Sequence, residues 1–361
     1  MSSTIVGGAT LTDQFAARDS TLSVLKAINI WGAIHFALKL SNDVSENRLN
    51  LLELMNNFTS LSKVTSKFIS EIERLKELTI RKDAEFFQLP TNLEVNRFKV
   101  LATALLDKDI SNALLIAEEL DYEVTLFEDR ETQQQYFRLL EKTIDSNDSQ
   151  ERFIRGWGSY FFNVDNTRQG LVEVPHTIAD TDTEYVGAKA FIDSKSRIFL
   201  LAGAHRDAGG AEKGNYADVC DPERKVFQGI HEAGVDAKLD TWQIHGFNLK
   251  KKKNLPDNTV AVLSNGEGDY TPAIKNLEQQ LKQQQFASYI CSDCDSVVNG
   301  SFEECKIARL SATQNIQGQY SNRNQGSFVH IELINKVRTN ESRSNEVAEA
   351  ISEAILSSYS E

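Results

Sequence analysis

The chain has 361 residues, which is room for two or three domains. Hydrophobic residues make up 40% and charged residues 25%, a globular composition that excludes a largely disordered or collagen-like protein. The net charge of −13 argues against nucleic acid as a partner, because a duplex binder needs a positive footprint.

In chain order, the first feature is an absence. Between Ala33 and Arg155 there is no glycine, and the only proline is Pro90. This part is rich in Leu, Glu, Lys, Gln and Ala, which favour helix, and it lacks the residues that tight β-turns prefer. The expectation is an all-α domain over residues 1–148. Its helices are expected at 20–40, 45–78, 93–106, 111–120 and 132–144. The second of these carries Leu49, Leu52, Met55, Phe58, Leu61, Val64, Phe68, Ile72 and Leu75 at three- and four-residue spacing, an amphipathic stripe. The stripe is not a strict heptad, so it reads as the buried face of a bundle before it reads as a coiled coil. A protein partner for this helical half stays open. His35 sits among apolar residues and reads as a core histidine.

The polar segment 145–149 is expected to be a boundary. After it, short β-rich runs at 171–174, 197–201, 241–244, 259–263, 287–290 and 328–333 alternate with helical patterns at 185–192, 218–233, 272–285 and 345–358. The second domain, 149–361, therefore reads as α/β, an open mixed sheet flanked by helices. Ligands in such sheets gather where strands end. The four-lysine run at 250–253 reads as a solvated turn.

Histidines stand where strands give way to loops. Leu171-Val-Glu-Val-Pro-His176 ends in one, Gly203-Ala-His205-Arg206 follows another strand, and Trp242-Gln-Ile-His245 ends in a third. The strand Val329-His330-Ile-Glu332 carries a carboxylate in apolar company. Three histidines and an acid point to a metal or acid–base site. Zinc takes histidine nitrogens and carboxylate oxygens, and catalytic zinc sites use three protein ligands plus water. His176, Asp180 and His245 are the expected ligands, with Asp182 or Glu184 as alternatives to Asp180, which would otherwise cap the following helix. Glu332 is the expected proton carrier. His330, two residues away on the same strand face, reads as its supporting partner.

The segments Arg155-Gly-Trp-Gly158, Val174-Pro-His-Thr-Ile-Ala-Asp180, Gly203-Ala-His-Arg206, Ala217-Asp-Val219, Gln243-Ile-His-Gly-Phe247, Thr313-Gln-Asn-Ile-Gln-Gly318 and His330-Ile-Glu332 occur in this order. Together they resemble the N-formylglutamate amidohydrolase-like zinc hydrolases, whose fold is similar to that of zinc carboxypeptidases and poly-γ-glutamate hydrolases. The resemblance covers about residues 155–338. It implies a zinc enzyme, with one zinc per chain, that cleaves an amide bond next to a carboxylate. The small cysteine count and the first 30 residues, which do not read as a secretory signal, make the cytoplasm the expected location. The resemblance implies His176, Asp180 and His245 as metal ligands and Glu332 as the catalytic acid/base. His205, Arg206, Asn315 and Gln317 are implied at the substrate, with Arg206 gripping its carboxylate. The chain departs from the family pattern at Gln243-Ile244, where an aspartate is usual before the histidine, and at Glu332-Leu-Ile-Asn-Lys336.

The remaining features are negative. No run of about 18 uncharged apolar residues exists, so no membrane span is expected. The first 30 residues carry Asp13, Arg18, Asp19 and Lys26 and do not read as a secretory signal. Four cysteines are few for a disulfide scaffold. Cys291-Ser-Asp-Cys294 is half a zinc knuckle without its second pair. Free thiols are expected, a pairing of Cys305 with Cys291 or Cys294 being the alternative. Cys220 reads as a packing residue.

Overall fold

The strands that the apolar runs foretell do more than form a second domain; they continue a sheet that starts before residue 148. The computed structural model describes residues 61–82, 84, 87–145, 151–165, 169–209, 216–252, 255–294 and 301–359. In chain order these form β1 (Lys63–Ser66), α1 (Phe68–Leu78), α2 (Asn92–Asp107), α3 (Ile110–Glu119), β2 (Tyr122–Asp129), β3 (Gln135–Glu141), β4 (Thr143–Asp145), β5 (Glu151–Phe153), β6 (Ser159–Asn163), β7 (Gly170–Val174), α4 (Thr183–Ser194) and β8 (Ile198–Leu201). Then follow α5 (Val226–Asp236), β9 (Asp240–Phe247), β10 (Ala261–Ser264), α6 (Pro272–Gln283), β11 (Ser288–Ile290), α7 (Phe302–Ala308), α8 (Ile316–Arg323), β12 (Phe328–Ile334), α9 (Asn335–Arg338) and α10 (Glu341–Ser357).

Ten strands make one mixed sheet in the order β1-β2-β3-β6-β8-β7-β9-β12-β10-β11. Its centre, β8-β7-β9-β12, is parallel, and antiparallel pairings flank it on both sides. All six strands expected after residue 149 are present within one to three residues of their expected ends. One apolar cluster covers one face, with α1, α4, α6 and α10; a second covers the other, with α2, α3 and α5. Among the described residues, no helix is long and apolar enough to cross a membrane.

The expectation for the first half needs correction. The helices at 93–106 and 111–120 form, as α2 and α3. The helix expected at 132–144 is instead β3 and β4, and the described end of the 45–78 helix is interrupted by β1. Strand β3 is buried at every position, and its polar residues Gln135, Arg138 and Glu141 recur at every third place, so no period-two alternation distinguishes it from helix. The β2–β3 turn dispenses with glycine: Gln133 takes the left-handed conformation at φ 61°, and the Asp129 carboxylate accepts the Thr132 N–H at 3.0 Å and its hydroxyl at 2.6 Å. The helix expected at 20–40, the first part of the one expected at 45–78 and His35 lie outside the described residues.

Residues on both sides of 148 share one core. Phe68 packs on Phe161 with ring centroids 4.7 Å apart and on Phe191 at 5.5 Å, and Tyr136 packs on Phe191 at 5.3 Å. Each fully buried aromatic of this kind contributes about 1.5–3 kcal/mol. Separating α1 and β3 from the later strands would expose all of them. The described part of 1–148 is therefore not an all-α unit beside the sheet; it supplies one side of it.

The Arg155-Gly-Trp-Gly158 motif also finds a structural use. The buried Glu141 carboxylate accepts N–H bonds from Arg155 at 2.6 Å, Gly156 at 3.1 Å and Trp157 at 2.8 Å. Gly158 has φ 108°, and a Cβ there would lie 2.6 Å from the Leu201 carbonyl, so no other residue fits the approach of this turn to β8.

Candidate metal centre

Register carries the site residues to one place. In the parallel pairing of β9 with β12, His245 stands opposite Glu332 and Gln243 opposite His330. Glu173 of β7 stands opposite Gln243. Period two then puts Glu173, Gln243, His245, His330 and Glu332 on one sheet face. Their alternates, Val172, Trp242, Ile244, Val329 and Ile331, enter the apolar cluster on the other. A polar column therefore crosses the parallel centre of the sheet. It ends in a cavity of about 710 Å³ lined by His176, Asp180, His245, His330, Glu332 and Cys220, with Arg206, Lys306, Arg309 and Asn315 also contributing.

His176 follows β7 through Pro175. The next turn closes with the Asp180 N–H on the His176 carbonyl at 2.9 Å, and Thr177 ties it to β8 through the Ala202 carbonyl at 2.7 Å. That turn brings Asp180 back onto its own histidine, with His176 Nδ1 3.0 Å from Asp180 Oδ2. His245 Nδ1 lies 3.2 Å from His176 Nδ1 and 3.7 Å from Asp180 Oδ2. Asp180 Oδ2 also accepts the Gly246 N–H at 3.0 Å.

The donor set fits zinc. For bonds of about 2.0–2.1 Å, neighbouring ligand atoms in a tetrahedron lie about 3.3 Å apart. The three separations of 3.0, 3.2 and 3.7 Å bracket that edge. His176, Asp180 and His245 are thus brought together as expected. The two alternatives to Asp180 are engaged elsewhere: Asp182 pairs with Lys76 at 3.1 Å, and Glu184 pairs with the same ammonium. Asp180 does not cap α4, whose N-cap residue is Asp182.

The supports of these candidate ligands are more elaborate than the sequence suggests. His176 Nε2 lies 3.0 Å from Asp218 Oδ1, and Arg206 Nη2 donates to Asp218 Oδ2 at 2.6 Å. Asp218 is delivered by a turn, because the helix expected at 218–233 begins only at Val226. Its only sequence signal was the Ala217-Asp-Val219 segment, to which no role was attached. Carboxylates next to metal-ligating histidines orient the ring and raise its basicity. In the metal-free chain, burial alone would lower the His176 pKa. Asp218 and Asp180 more than offset this and hold it well above the ordinary value. Burial brings His245 down to about 4. The His176 imidazolium holds Asp180 and Asp218 below the ordinary carboxyl value, against the upward pull of burial.

Glu332 is different. It is 8% exposed, its Oε2 has no hydrogen-bond partner, and its nearest basic neighbour is His330 Nε2 at 3.8 Å. No ion pair with Arg206 or Arg338 forms; Arg338 donates instead to the Leu333 carbonyl at 3.2 Å. Burial, then the Asp180 carboxylate, pushes the Glu332 pKa up to about 8. Burial, reinforced by His245, holds His330 well below its ordinary value, and its Nδ1 is also without a partner.

The residues expected at the substrate are divided. Arg206 lines the cavity but is committed to Asp218. His205 does not line it; its Nδ1 accepts the Asp207 N–H at 3.1 Å. Asn315 caps α8 and donates to Gln243 Oε1 at 2.5 Å. Gln317 is fully buried and donates to the Val219 carbonyl at 2.8 Å, so in this structure it is a packing residue and out of reach of a ligand. Sequence reasoning passed over Arg309, which is exposed, lines the cavity and makes no ion pair among the described residues. Cys220, expected to be a packing residue, also lines the cavity, and burial pushes its thiol up to about 12.

The free-thiol expectation fails at two of the four cysteines. Cys291 and Cys305 form a disulfide, both ends buried in the apolar cluster that joins β10, β11 and α7. Residues after Cys305 on this segment, Lys306 and Arg309, form one wall of the cavity.

A comparison with the known protein families finds no match, and a comparison with curated proteins finds none.

Proposed function

We propose that the protein is a zinc-dependent hydrolase that cleaves an amide C–N bond next to a carboxylate. The observation that carries the reading is the triangle of His176 Nδ1, Asp180 Oδ2 and His245 Nδ1, opening into the same cavity as the unpartnered Oε2 of Glu332. His176, Asp180 and His245 would hold the zinc. The ion would supply Lewis-acid polarisation of the scissile carbonyl and acidify the attacking water.

The chain's own groups do the rest. Glu332 accepts the proton that the water loses as its oxygen bonds to the carbonyl carbon. It then delivers that proton to the amide nitrogen as the C–N bond breaks. A buried carboxyl suits this task because it exchanges a proton near neutrality. His330 stands beside it as a neutral imidazole. Arg206 holds Asp218, so the substrate carboxylate falls to Arg309, the cavity-lining guanidinium with no ion pair of its own among the described residues. Resemblance to the N-formylglutamate amidohydrolase-like hydrolases points the same way.

A second reading, a hydrolase-like protein that binds without turnover, is favoured by one feature: the amide of Gln243, not a carboxylate, supports His245. Turnover separates the two. With N-acyl amino acids and short γ-glutamyl peptides as substrates, Glu332→Gln should retain zinc and fold and lose about 10²–10⁴-fold in kcat. No turnover by the wild-type zinc-loaded protein on any such substrate would favour the binding reading. Wild-type turnover by the variant would remove Glu332 from the reaction.

A further inference from the structure

Beneath the proposed metal ligands runs a chain of buried hydrogen bonds that the reaction does not use directly. His245 Nε2 lies 2.7 Å from Gln243 Oε1. Gln243 Nε2 donates to Glu173 Oε2 at 2.8 Å, and Glu173 Oε1 lies 2.8 Å from His231 Nδ1. His231 Nε2 reaches Ser321 Oγ at 3.3 Å. Gln243, Glu173, His231 and Ser321 are fully buried.

We propose that Gln243 and Glu173 are positioning residues that lock His245 in the tautomer with its proton on Nε2, leaving the Nδ1 lone pair facing His176 and Asp180. Gln317 spends its NH₂ on the Val219 carbonyl, so its Oε1 is the group that meets Gln243 at 3.3 Å, and the side of the Gln243 amide facing Gln317 and Glu173 must be the NH₂. The carbonyl oxygen then faces His245. Asn315 fixes the same orientation independently. Its Oδ1 is occupied by the Gly318 N–H at 3.1 Å, so its NH₂ is the group that meets Gln243 Oε1 at 2.5 Å. A carbonyl oxygen cannot donate, so His245 Nε2 must carry the hydrogen. A neutral imidazole protonated at Nε2 has its lone pair on Nδ1, the atom 3.2 Å from His176 Nδ1.

One buried amide, oriented by Glu173 and Gln317 on its NH₂ side and by Asn315 on its oxygen, thus presets the ligand atom of His245. A carboxylate placed directly on His245 would do the same and also add negative charge. The amide supplies direction without the charge.

This inference rests on His245 being a metal ligand for its functional weight, but its first test does not. In full-length, metal-free wild-type protein with labelled histidine, the nitrogen chemical shifts of His245 should report a neutral ring protonated at Nε2. A ring protonated at Nδ1 overturns the proposal, whether or not the protein binds zinc or turns over. The second test is Glu173→Gln. Combined with Asn315→Ala, this isosteric change gives residue 173 a donor of its own and removes the second group that orients Gln243, so the amide is free to flip. Both His245 tautomers should then appear, and zinc affinity, read by competition with a chromogenic chelator, should fall about 10–100-fold. A variant with the wild-type tautomer and wild-type affinity would make Glu173 a packing residue only. If the variant fails to fold, the wild-type nitrogen shifts still decide the matter.

Discussion

Replacing Glu332 by glutamine should flatten the pH dependence of stability of the metal-free protein. The ordinary glutamate value is 4.5, and in the folded chain burial, then Asp180, pushes it to about 8. Between these values the unfolded chain has lost the proton and the folded chain keeps it. The folded pKa is the higher one, so the stability tied to the protonated carboxyl is complete below pH 4.5 and is lost as pH rises through about 8. The slope is about 1.4 kcal/mol per pH unit. Across the whole window the loss reaches up to about 5 kcal/mol. The amide cannot ionise and escapes it. His176, whose pKa Asp218 and Asp180 raise, is present in both proteins, so the difference between them reports residue 332. Urea unfolding of chelator-treated wild type and Glu332→Gln from pH 4.5 to 9 measures that difference. The two stability curves should separate as pH rises, with the variant the more stable above neutrality. Parallel curves would mean that the carboxyl is hydrated or paired in solution, and the case for Glu332 as a proton carrier near neutrality would fall with them.

Two further predictions concern the ligands and the cavity wall. Asp180→Asn should lose zinc, whereas Asp182→Asn should keep it and lose only a half-exposed ion pair with Lys76 worth about 0–1 kcal/mol; equal zinc in both would return the acidic ligand to an open choice. Cys305→Ser opens a loop closed across a separation of 14 residues and should lower the unfolding free energy by about 3 kcal/mol, while unchanged stability would mean that the thiols are reduced in the protein as made.

The second half of the fold was legible because its strands are short, β-branched and punctuated by glycine. Strands β7, β9 and β12 could be read from their apolar alternates, and the histidines at their ends followed. The first half was not. Its turns use Lys108, Asp121 and Gln133 in the left-handed conformation where glycine is customary, so the usual punctuation was missing. Strand β3, buried on both faces, carries no alternation. At the site, His176, Asp180, His245 and Glu332 were readable as types in a pattern. The commitment of Arg206 to Asp218 was not, because a salt bridge between two loops leaves no spacing in the sequence. Nor was the burial of Gln317, which follows from how α8 packs on β12 and α5. The Cys291–Cys305 pairing depends on β11 and α7 meeting in one apolar cluster. Disulfides are rare in reducing compartments, so this bond sits against the cytoplasmic expectation.

The most direct measurement of the central claim is the metal content of the purified full-length protein by elemental analysis, with the double variant His176→Ala, His245→Ala beside it. About one zinc per wild-type chain, and none in a variant that keeps its circular dichroism and cooperative unfolding, is the expected result. Equal zinc in the two proteins, or none in a wild type offered zinc at neutral pH, would contradict it.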